Sequence, residues 1–204
     1  MSVDGTVVTD TGFHVNEEQQ IKIDDTILCY EEYIYIMLNK PAGYITATND
    51  DNSKTVMDLI AEKRAGLSIV GRLDKDTEGL LLITNNGKLN HNMLSPSKHV
   101  DKTYYVVCEN DISDDDINRL CNGIDIGDDK PTLEAKCCRY DKGILLTIHE
   151  GRYHQIKRML EALNNHVTYL KRLTFGPLSL DENLESGSSR RLTDEEIDLL
   201  RKYM

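Results

Sequence analysis

A cluster of acidic residues follows a short apolar stretch in segment 71–82. Asp74 stands directly after Arg72 and Leu73, and the polar residues behind it lead into the apolar run 80–83. Side chains at the end of a strand are held rigidly at the edge of a sheet, where active sites are commonly built. An aspartate is ionised at neutral pH, so Asp74 could act as a nucleophile without a separate base.

Two other interpretations of this segment remain open. Asp74, Asp76, Glu78 and Gly79 match positions 1, 3, 5 and 6 of a calcium-binding loop. However, Asn85 stands where that loop requires glutamate, and the flanking residues have the pattern of strands rather than helices. The segment could also be an ordinary turn with solvated acidic side chains.

A second cluster is basic and lies in segment 150–159. Gly151 could permit an unusual turn or a close approach of the backbone. His154, Lys157 and Arg158 then fall at the start of an amphipathic helix, away from its apolar stripe. The first N–H groups of a helix favour anions, so this cluster predicts an anion-binding site. The alternative is a basic, solvated helix face.

A third cluster contains two neighbouring tyrosines, Tyr104 and Tyr105, in a β-prone run. Neighbouring residues of a strand point to opposite faces, so one tyrosine should lie in the core. The other could stack on a base or donate a hydrogen bond within a site. Both could instead simply pack as good strand formers.

Several chemistries lose support because their motifs do not occur. The sequence contains no GxGxxG, GxxxxGK[ST], HExxH or GxSxG pattern, so nucleotide cofactors and the common hydrolase chemistries lose support, and any chemistry must come from side chains or a metal. No apolar run approaches the ~18 residues of a membrane span, and no signal peptide is visible. The five cysteines form no CxxC pair, which favours a reduced, cytoplasmic protein.

Charge is distributed unevenly along the 204 residues. The net charge is −11, which is unusual for a protein that binds nucleic acid. Residues 134–175, however, carry 8 basic and 4 acidic side chains, whereas residues 1–133 carry 12 and 24. This pattern predicts one anion-binding face on an otherwise acidic protein, although a chance fluctuation is an alternative.

The elements that must position these clusters are mainly strands. Hydrophobic periodicity predicts strands at 33–38, 69–73, 80–84, 103–108, 133–140, 144–149 and 167–175, with a turn at 85–87. It predicts helices at 55–66 and 154–164, and capping residues Ser113 and Thr193 each predict a helix that follows. Strands outnumber helices and hairpins are common, which favours an α+β fold with a largely antiparallel sheet.

Four motifs in register resemble those of the RsuA-like group of ribosomal RNA pseudouridine synthases. They are Asn-Lys-Pro-Ala-Gly at 39–43, Gly-Arg-Leu-Asp at 71–74 continued by Thr-Glu-Gly-Leu at 77–80, Ser-Pro at 95–96 followed by Lys-Thr-Tyr at 102–104, and Glu-Gly-Arg-Tyr-His-Gln-Ile-Lys-Arg-Met at 150–159. The resemblance extends from about residue 33 to about residue 200. It implies the pseudouridine synthase fold, with a largely antiparallel mixed sheet and peripheral helices.

The resemblance also implies a reaction, the isomerisation of a specific uridine in RNA to pseudouridine without a cofactor. The family's essential aspartate matches Asp74, which would act on the ribose either as a nucleophile or through a glycal intermediate. Tyr104 matches the tyrosine that packs on the target base. Lys157 matches a cation that pairs with the aspartate and keeps it charged and oriented. These three residues are the predicted catalytic residues.

The remaining predicted site residues would bind RNA. Arg72 resembles a residue that contacts RNA near the flipped nucleotide, and Ile156 matches an apolar wall of the uracil pocket. Extrusion of a base costs a few kcal/mol, which phosphate contacts of basic side chains would repay. The predicted RNA-binding set is Lys40, Arg72, Arg152, His154, Gln155, Ile156 and Arg158.

The predicted partner is ribosomal RNA or an intermediate of subunit assembly, with 16S RNA of the small subunit favoured. A large-subunit enzyme and a catalytically silent RNA-binding assembly factor are the alternatives. We expect a monomer. Residues 1–30 resemble a remnant of an S4-like RNA-binding domain, and residues 31–204 are predicted to form the pseudouridine synthase catalytic domain.

Overall fold

The computed structural model describes residues 1–16, 19–24, 26–28, 31–62 and 65–204. By internal contacts the chain divides into two units, Met1–Tyr33 and Ile34–Met204. The predicted boundary at 30/31 lies close to this division, although residues 29–30 are outside the described residues. The interpretation of the first unit as part of an S4-like domain stays a prediction.

The first unit is a small antiparallel sheet with strand order β2-β1-β3-β4. Its strands are β1 Ser2–Val3, β2 Thr6–Val7, β3 Ile21–Ile23 and β4 Thr26–Leu28. Among its described residues, Val3 is the only buried side chain. These strands therefore form a sheet with very little core.

The second unit is built on a nine-stranded mixed sheet. Its main path runs β13-β5-β7-β11-β8-β10-β9, with β6 paired to β7 and β12 paired to β11. The pair β7–β11 is parallel and the other pairs are antiparallel. The strands are β5 Tyr35–Lys40, β6 Ser68–Val70, β7 Glu78–Thr84, β8 Lys102–Cys108, β9 Lys136–Tyr140, β10 Gly143–Ile148, β11 Val167–Phe175, β12 Leu178–Ser179 and β13 Ser189–Arg191.

Helices pack on both faces of this sheet. They are α1 Gly87–Leu94, α2 Asp114–Cys121, α3 Gln155–Glu161 and α4 Asp194–Leu200, with short 3-10 helices at Val56–Leu59, Pro96–Lys98 and Arg201–Tyr203. Side chains of α2 and α3 join one apolar cluster and those of α1 and α4 join the other. Alternate residues of β7 enter the two clusters, so this strand is buried on both faces. The predicted α+β fold with a largely antiparallel mixed sheet is confirmed.

Two of the predicted local structures are wrong. Residues 85–87 do not form a simple turn, because Asn86 caps helix α1, which the sequence pattern did not indicate. The helix predicted at 55–66 is reduced to the 3-10 helix Val56–Leu59, and Ile60 is already extended, with φ −97° and ψ 116°. Residues 63–64 of that prediction lie outside the described residues.

A row of paired residues across the sheet places the candidate site. Lys40 of β5 lies opposite Gly79 of β7, Gly79 lies beside Arg172 of β11, and Arg172 lies opposite Tyr104 of β8. A Cβ atom on Gly79 would lie only 2.2 Å from the carbonyl oxygen of Arg172. Glycine therefore permits the close approach of β7 and β11, which brings the loop before β7 to the same edge as Tyr104.

Candidate active site

Asp74 lies in the loop between β6 and β7, and its backbone is fixed on both sides. The hydroxyl of Thr46 donates to the carbonyl oxygen of Leu73 at 2.6 Å and accepts from its N–H at 3.1 Å. The N–H of Thr77 donates to the carbonyl oxygen of Asp74 at 3.1 Å. Leu73 is buried, so the residue next to Asp74 anchors the loop in the core.

Two side chains face the carboxylate of Asp74: the ammonium of Lys157 on α3 and the imidazole of His154, the residue before α3. The ammonium of Lys157 lies 3.1 Å from Asp74 Oδ2, and His154 Nε2 lies 3.6 Å from Oδ1. His154 is the residue before α3 and has a left-handed backbone, with φ 48°. A non-glycine residue rarely adopts this conformation, so the turn before α3 is strained where it approaches Asp74.

Asp76 is a member of the cluster that sequence reasoning missed as a site residue. Lys157 Nζ lies 2.6 Å from its Oδ1 and 2.9 Å from its Oδ2, closer than to Asp74. Burial raises the pKa of Asp76, but the hydrogen bond and charge of Lys157 outweigh it, so the pKa is below its ordinary value. One ammonium thus serves two carboxylates of the same loop.

These residues line a cavity of about 960 Å³, a size typical of ligand sites. Its apolar wall includes Tyr104, Ile148, Ile156 and Leu170, and its polar side includes Asp74. Tyr104 is only 7% exposed, whereas Tyr105 lies on the opposite face and packs against Tyr140 and Tyr169. The prediction that the two tyrosines divide between the faces is confirmed.

The cavity unites most of the predicted site. The predicted residues that line it are Arg72, Asp74, Tyr104, Arg152, His154, Gln155, Ile156 and Lys157. Tyr153, which was not predicted, also lines it; the residue is 76% exposed, and its ring stacks on that of His154 with the centroids 3.8 Å apart. Lys40 and Arg158 do not line the cavity.

Lys40 is buried beneath the site and is not placed to touch RNA. Its ammonium donates to the carbonyl oxygens of Pro41, Lys75 and Thr77 at 3.0, 3.3 and 2.8 Å. Its side chain is fully buried, and burial lowers its pKa to about 8. The predicted phosphate contact is therefore wrong, and Lys40 instead ties the loop that carries Asp74 to the end of β5.

Arg152 and Arg158 are also held by the protein itself. Both lie within 3.4 Å of Asp128, and they donate further hydrogen bonds to the carbonyl oxygens of Lys130, Pro131 and Ile126. These groups fasten the loop between α2 and β9 to the start of α3. We call this set of contacts the Asp128 clasp. It stabilises the turn that presents His154 and Lys157.

The turn before α3 depends on Gln155 rather than on Gly151. The side chain of Gln155 accepts from the N–H of Arg152 and donates to Glu150, and it is buried. Gly151 has no positive φ, and a Cβ atom there would meet nothing within 4 Å. The expected backbone role of Gly151 is wrong, and the left-handed residue of this turn is His154.

The geometry does not favour the calcium interpretation. Glu78 points its carboxylate to the hydroxyl of Tyr169 at 2.9 Å, while Asp74 and Asp76 face Lys157. Within the described residues, no three carboxylate, imidazole or thiol groups lie together in a way that could hold a metal ion. Strands β6 and β7, not helices, flank the segment.

Comparison with known proteins identifies the family. The family model described as RNA pseudouridylate synthase matches residues 34–162, which is more than half of the chain. The chain belongs to the RNA pseudouridine synthase family. This synthase is therefore an isomerase that acts on RNA, and the matched range contains all the predicted catalytic residues.

The relatives are similar over nearly the whole chain. The Bacillus subtilis RNA pseudouridine synthase YtzG is 45% identical over 98% of this chain and 87% of its own length. The Escherichia coli ribosomal small subunit pseudouridine synthase A is 38% identical over 97% of this chain and 87% of its own length. A solved pseudouridylate synthase structure superposes with a TM-score of 0.78 at 38% identity, covering 98% of this chain and 87% of that structure. The resemblance to the RsuA-like group is confirmed.

The helices of this synthase were also compared with the length and hydropathy of a membrane-spanning segment. In the described parts of the chain, no helix has the length and apolar character needed to cross a membrane.

The Asp128 clasp predicts the effect of replacing Asp128 by Asn. Loss of the charge should loosen the turn before α3 and slow pseudouridine formation about tenfold, because small displacements of reacting groups are costly. RNA affinity should change little. Single-turnover kinetics would measure the rate, and limited proteolysis of loop 122–135 would measure the loosening of the structure. A gain in RNA affinity without loss of rate would instead mean that the released arginines bind phosphate.

Proposed function

We propose that this synthase isomerises a specific uridine of ribosomal RNA, in the 16S RNA of the small subunit, with Asp74 as its essential residue. The observation that carries the proposal is the Asp74–Lys157 pair at 3.1 Å, beside an apolar wall that includes Tyr104 and Ile156. A carboxylate near C1′ suits the positive charge that develops when a glycosidic bond breaks. A similar small-subunit enzyme from Escherichia coli supports the choice of substrate.

The reaction conserves all atoms and electrons. The C1′–N1 bond breaks, the uracil turns, and its C5 forms the new bond to C1′; C5 then loses its proton and N1 gains one. Asp74 would act either by adding to C1′ or through a glycal intermediate. The chemistry needs no electron transfer and no phosphoryl group, so the proposed mechanism uses no cofactor.

The target uridine must leave its helix or loop to reach this cavity. The cost of flipping a base is a few kcal/mol. We propose that Arg72, His154 and the exposed ring of Tyr153 contact the flipped nucleotide or its neighbours, since all three line the cavity. Tyr104 would pack on the base, because it is the buried aromatic residue of the cavity wall.

The proposal extends to partners and location. The enzyme would act as a monomer on ribosomal RNA or on an assembling subunit, and this substrate places the reaction in the cytoplasm. The chain as a whole has a net charge of −11, and its acidic part outside residues 134–175 would confine RNA to the face that carries the cavity.

Chemical mapping of pseudouridine tests the function. Purified enzyme is incubated with 16S and 23S RNA transcripts and with small-subunit particles, and carbodiimide adducts are located by primer extension. We expect one new stop in 16S RNA, and comparison with the particles shows which form is preferred. A stop in 23S RNA alone would overturn the subunit assignment. No stop in any RNA would contradict the assignment to ribosomal RNA.

A further inference from the structure

Lys102 and Arg172 also line the cavity, and neither has a role in the chemistry described above. Lys102 lies two residues before Tyr104 on β8, and Arg172 lies opposite Tyr104 on β11. Both therefore share the face of the sheet that carries the tyrosine. Lys102 is half-buried, whereas Arg172 is only 1% exposed.

The carboxylates near these cations are engaged elsewhere. Asp101 lies 2.5 Å from Nδ1 of His149, and Glu150 pairs with Arg152 at 3.0 Å. Within the residues that the structure describes, neither Lys102 nor Arg172 forms an ion pair. Buried charges are normally paired, so two neighbouring cations without a carboxylate partner indicate that an anionic or strongly polar group arrives from outside.

The hydrogen bonds of the two cations are also incomplete. Arg172 donates through Nε to the carbonyl oxygen of Leu80 at 2.8 Å, and its buried Nη2 has no partner. Lys102 donates to the carbonyl oxygen of Val100 at 2.9 Å, which uses one of the three donors of an ammonium. Both cations also lie over the ring of Phe175, at 5.5 and 4.8 Å from its centre, which fixes their positions.

We propose that Lys102 and Arg172 form an oxygen-binding subsite of the cavity, in which the Lys102 ammonium contacts an oxygen atom of the target nucleotide. Arg172 is a positioning residue beside it, because the residue is only 1% exposed and its guanidinium adds positive charge to the same wall of the cavity. The oxygen belongs either to a uracil carbonyl or to a phosphate. This inference rests on the proposed function, since the nucleotide is its ligand.

The charge of Lys102 makes the subsite sensitive to pH. Burial, and after it the positive charge of Arg172, lowers the pKa of Lys102 to about 8, although Asp101 and Glu150 oppose the shift. The groups facing Lys102 are thus Arg172 on β11, Asp101 before β8, and Glu150 after β10, with His149 on Asp101. Ligand binding through the ammonium should be present below this pKa and lost as the pH rises through it.

The test titrates the full chain with uridine, uridine 5′-monophosphate and ribose 5-phosphate, monitored by NMR. Lys102→Gln should lower the affinity for at least one of these probes about tenfold or more, as expected for loss of a hydrogen bond from a charged group. An equal loss of affinity for uridine and for its monophosphate assigns the contact to a uracil carbonyl. A loss confined to the two phosphorylated probes assigns it to phosphate. Lys142→Gln, on the exposed turn between β9 and β10, is the control and should bind as the wild type does.

Lys102→Arg keeps the test decisive if Lys102→Gln does not fold. Arginine stays charged, so the affinity of this variant should not fall as the pH is raised through the pKa of Lys102, whereas that of the wild type should. An identical pH profile for both proteins overturns the proposal. So does a folded Lys102→Gln protein that binds all probes as the wild type does, or a wild type that binds none. Pseudouridine mapping is scored separately, so failure of the proposed function is distinguishable.

Discussion

Replacing Asp74 by Asn should abolish pseudouridine formation while leaving the fold and RNA affinity nearly unchanged. Asparagine keeps the shape of the side chain but removes the charge that faces Lys157 at 3.1 Å. Loss of a group that reacts with the substrate commonly costs on the order of 10³-fold or more in rate. Primer-extension mapping under single-turnover conditions measures the rate, and filter binding measures the affinity.

The matched control for this variant is Asp51→Asn, which changes an exposed aspartate in a surface loop. It should modify RNA at the wild-type rate. Asp76→Asn is an informative third variant, because Asp76 shares the ammonium of Lys157 but is 71% exposed. Normal modification by the Asp74 variant would overturn its role as the essential residue, whatever Asp76 does.

Local signals explain why several elements were predictable. Ser113 and Thr193 accept hydrogen bonds from the third residues of α2 and α4, as the capping pattern requires. Strand β11 has the predicted bounds, 167–175, because its alternating burial matches its sequence pattern. These features depend on residues that are close in the sequence, so one amino-acid sequence contains enough information to predict them.

Helix α1 shows where a local signal was ambiguous. The segment Asn85-Asn86-Gly87 is a common turn sequence, yet here the side chain of Asn86 accepts from the N–H of Leu89 at 3.0 Å and begins a helix. Its amide group also donates to the hydroxyl of Tyr35, 51 residues earlier. A residue type that suits both turns and helix caps is assigned only by such distant contacts.

The segment after Thr55 shows tertiary structure overriding periodicity. Thr55 forms a bridge with Ile45, and the N–H of Val56 donates to the carbonyl oxygen of Ile45 at 3.0 Å. These contacts fix the start of the segment against another part of the chain. Val56, Leu59 and Ile60 are buried or half-buried, but a short 3-10 helix carries the first two and Ile60 follows it in extended conformation.

Within the site, the sequence grouped the predicted catalytic residues correctly in one cavity, but it assigned the supporting residues less well. Asp74, Tyr104, Ile156 and Lys157 meet in one cavity, as the resemblance implies. Lys40, Arg152 and Arg158 were assigned to RNA because they are basic. Their partners are backbone carbonyls, Glu150 for Arg152, and Asp128, which lies 24 and 30 residues from the two arginines. Sequence alone shows that a side chain is charged, but not whether the protein itself uses the charge.

Replacing Lys157 by Ala should slow the reaction by roughly 10²–10³-fold with little change in RNA affinity. The ammonium holds Asp74 and Asp76 together, and both carboxylates raise its pKa against the effect of burial, so it stays charged at neutral pH. Without it, two negative charges of one loop repel each other and Asp74 loses its orientation. Lys157→Arg should recover part of the rate, and Lys88→Ala on the exposed side of α1 should behave as the wild type. If affinity falls while the single-turnover rate is unchanged, Lys157 is a phosphate contact and not a partner of Asp74.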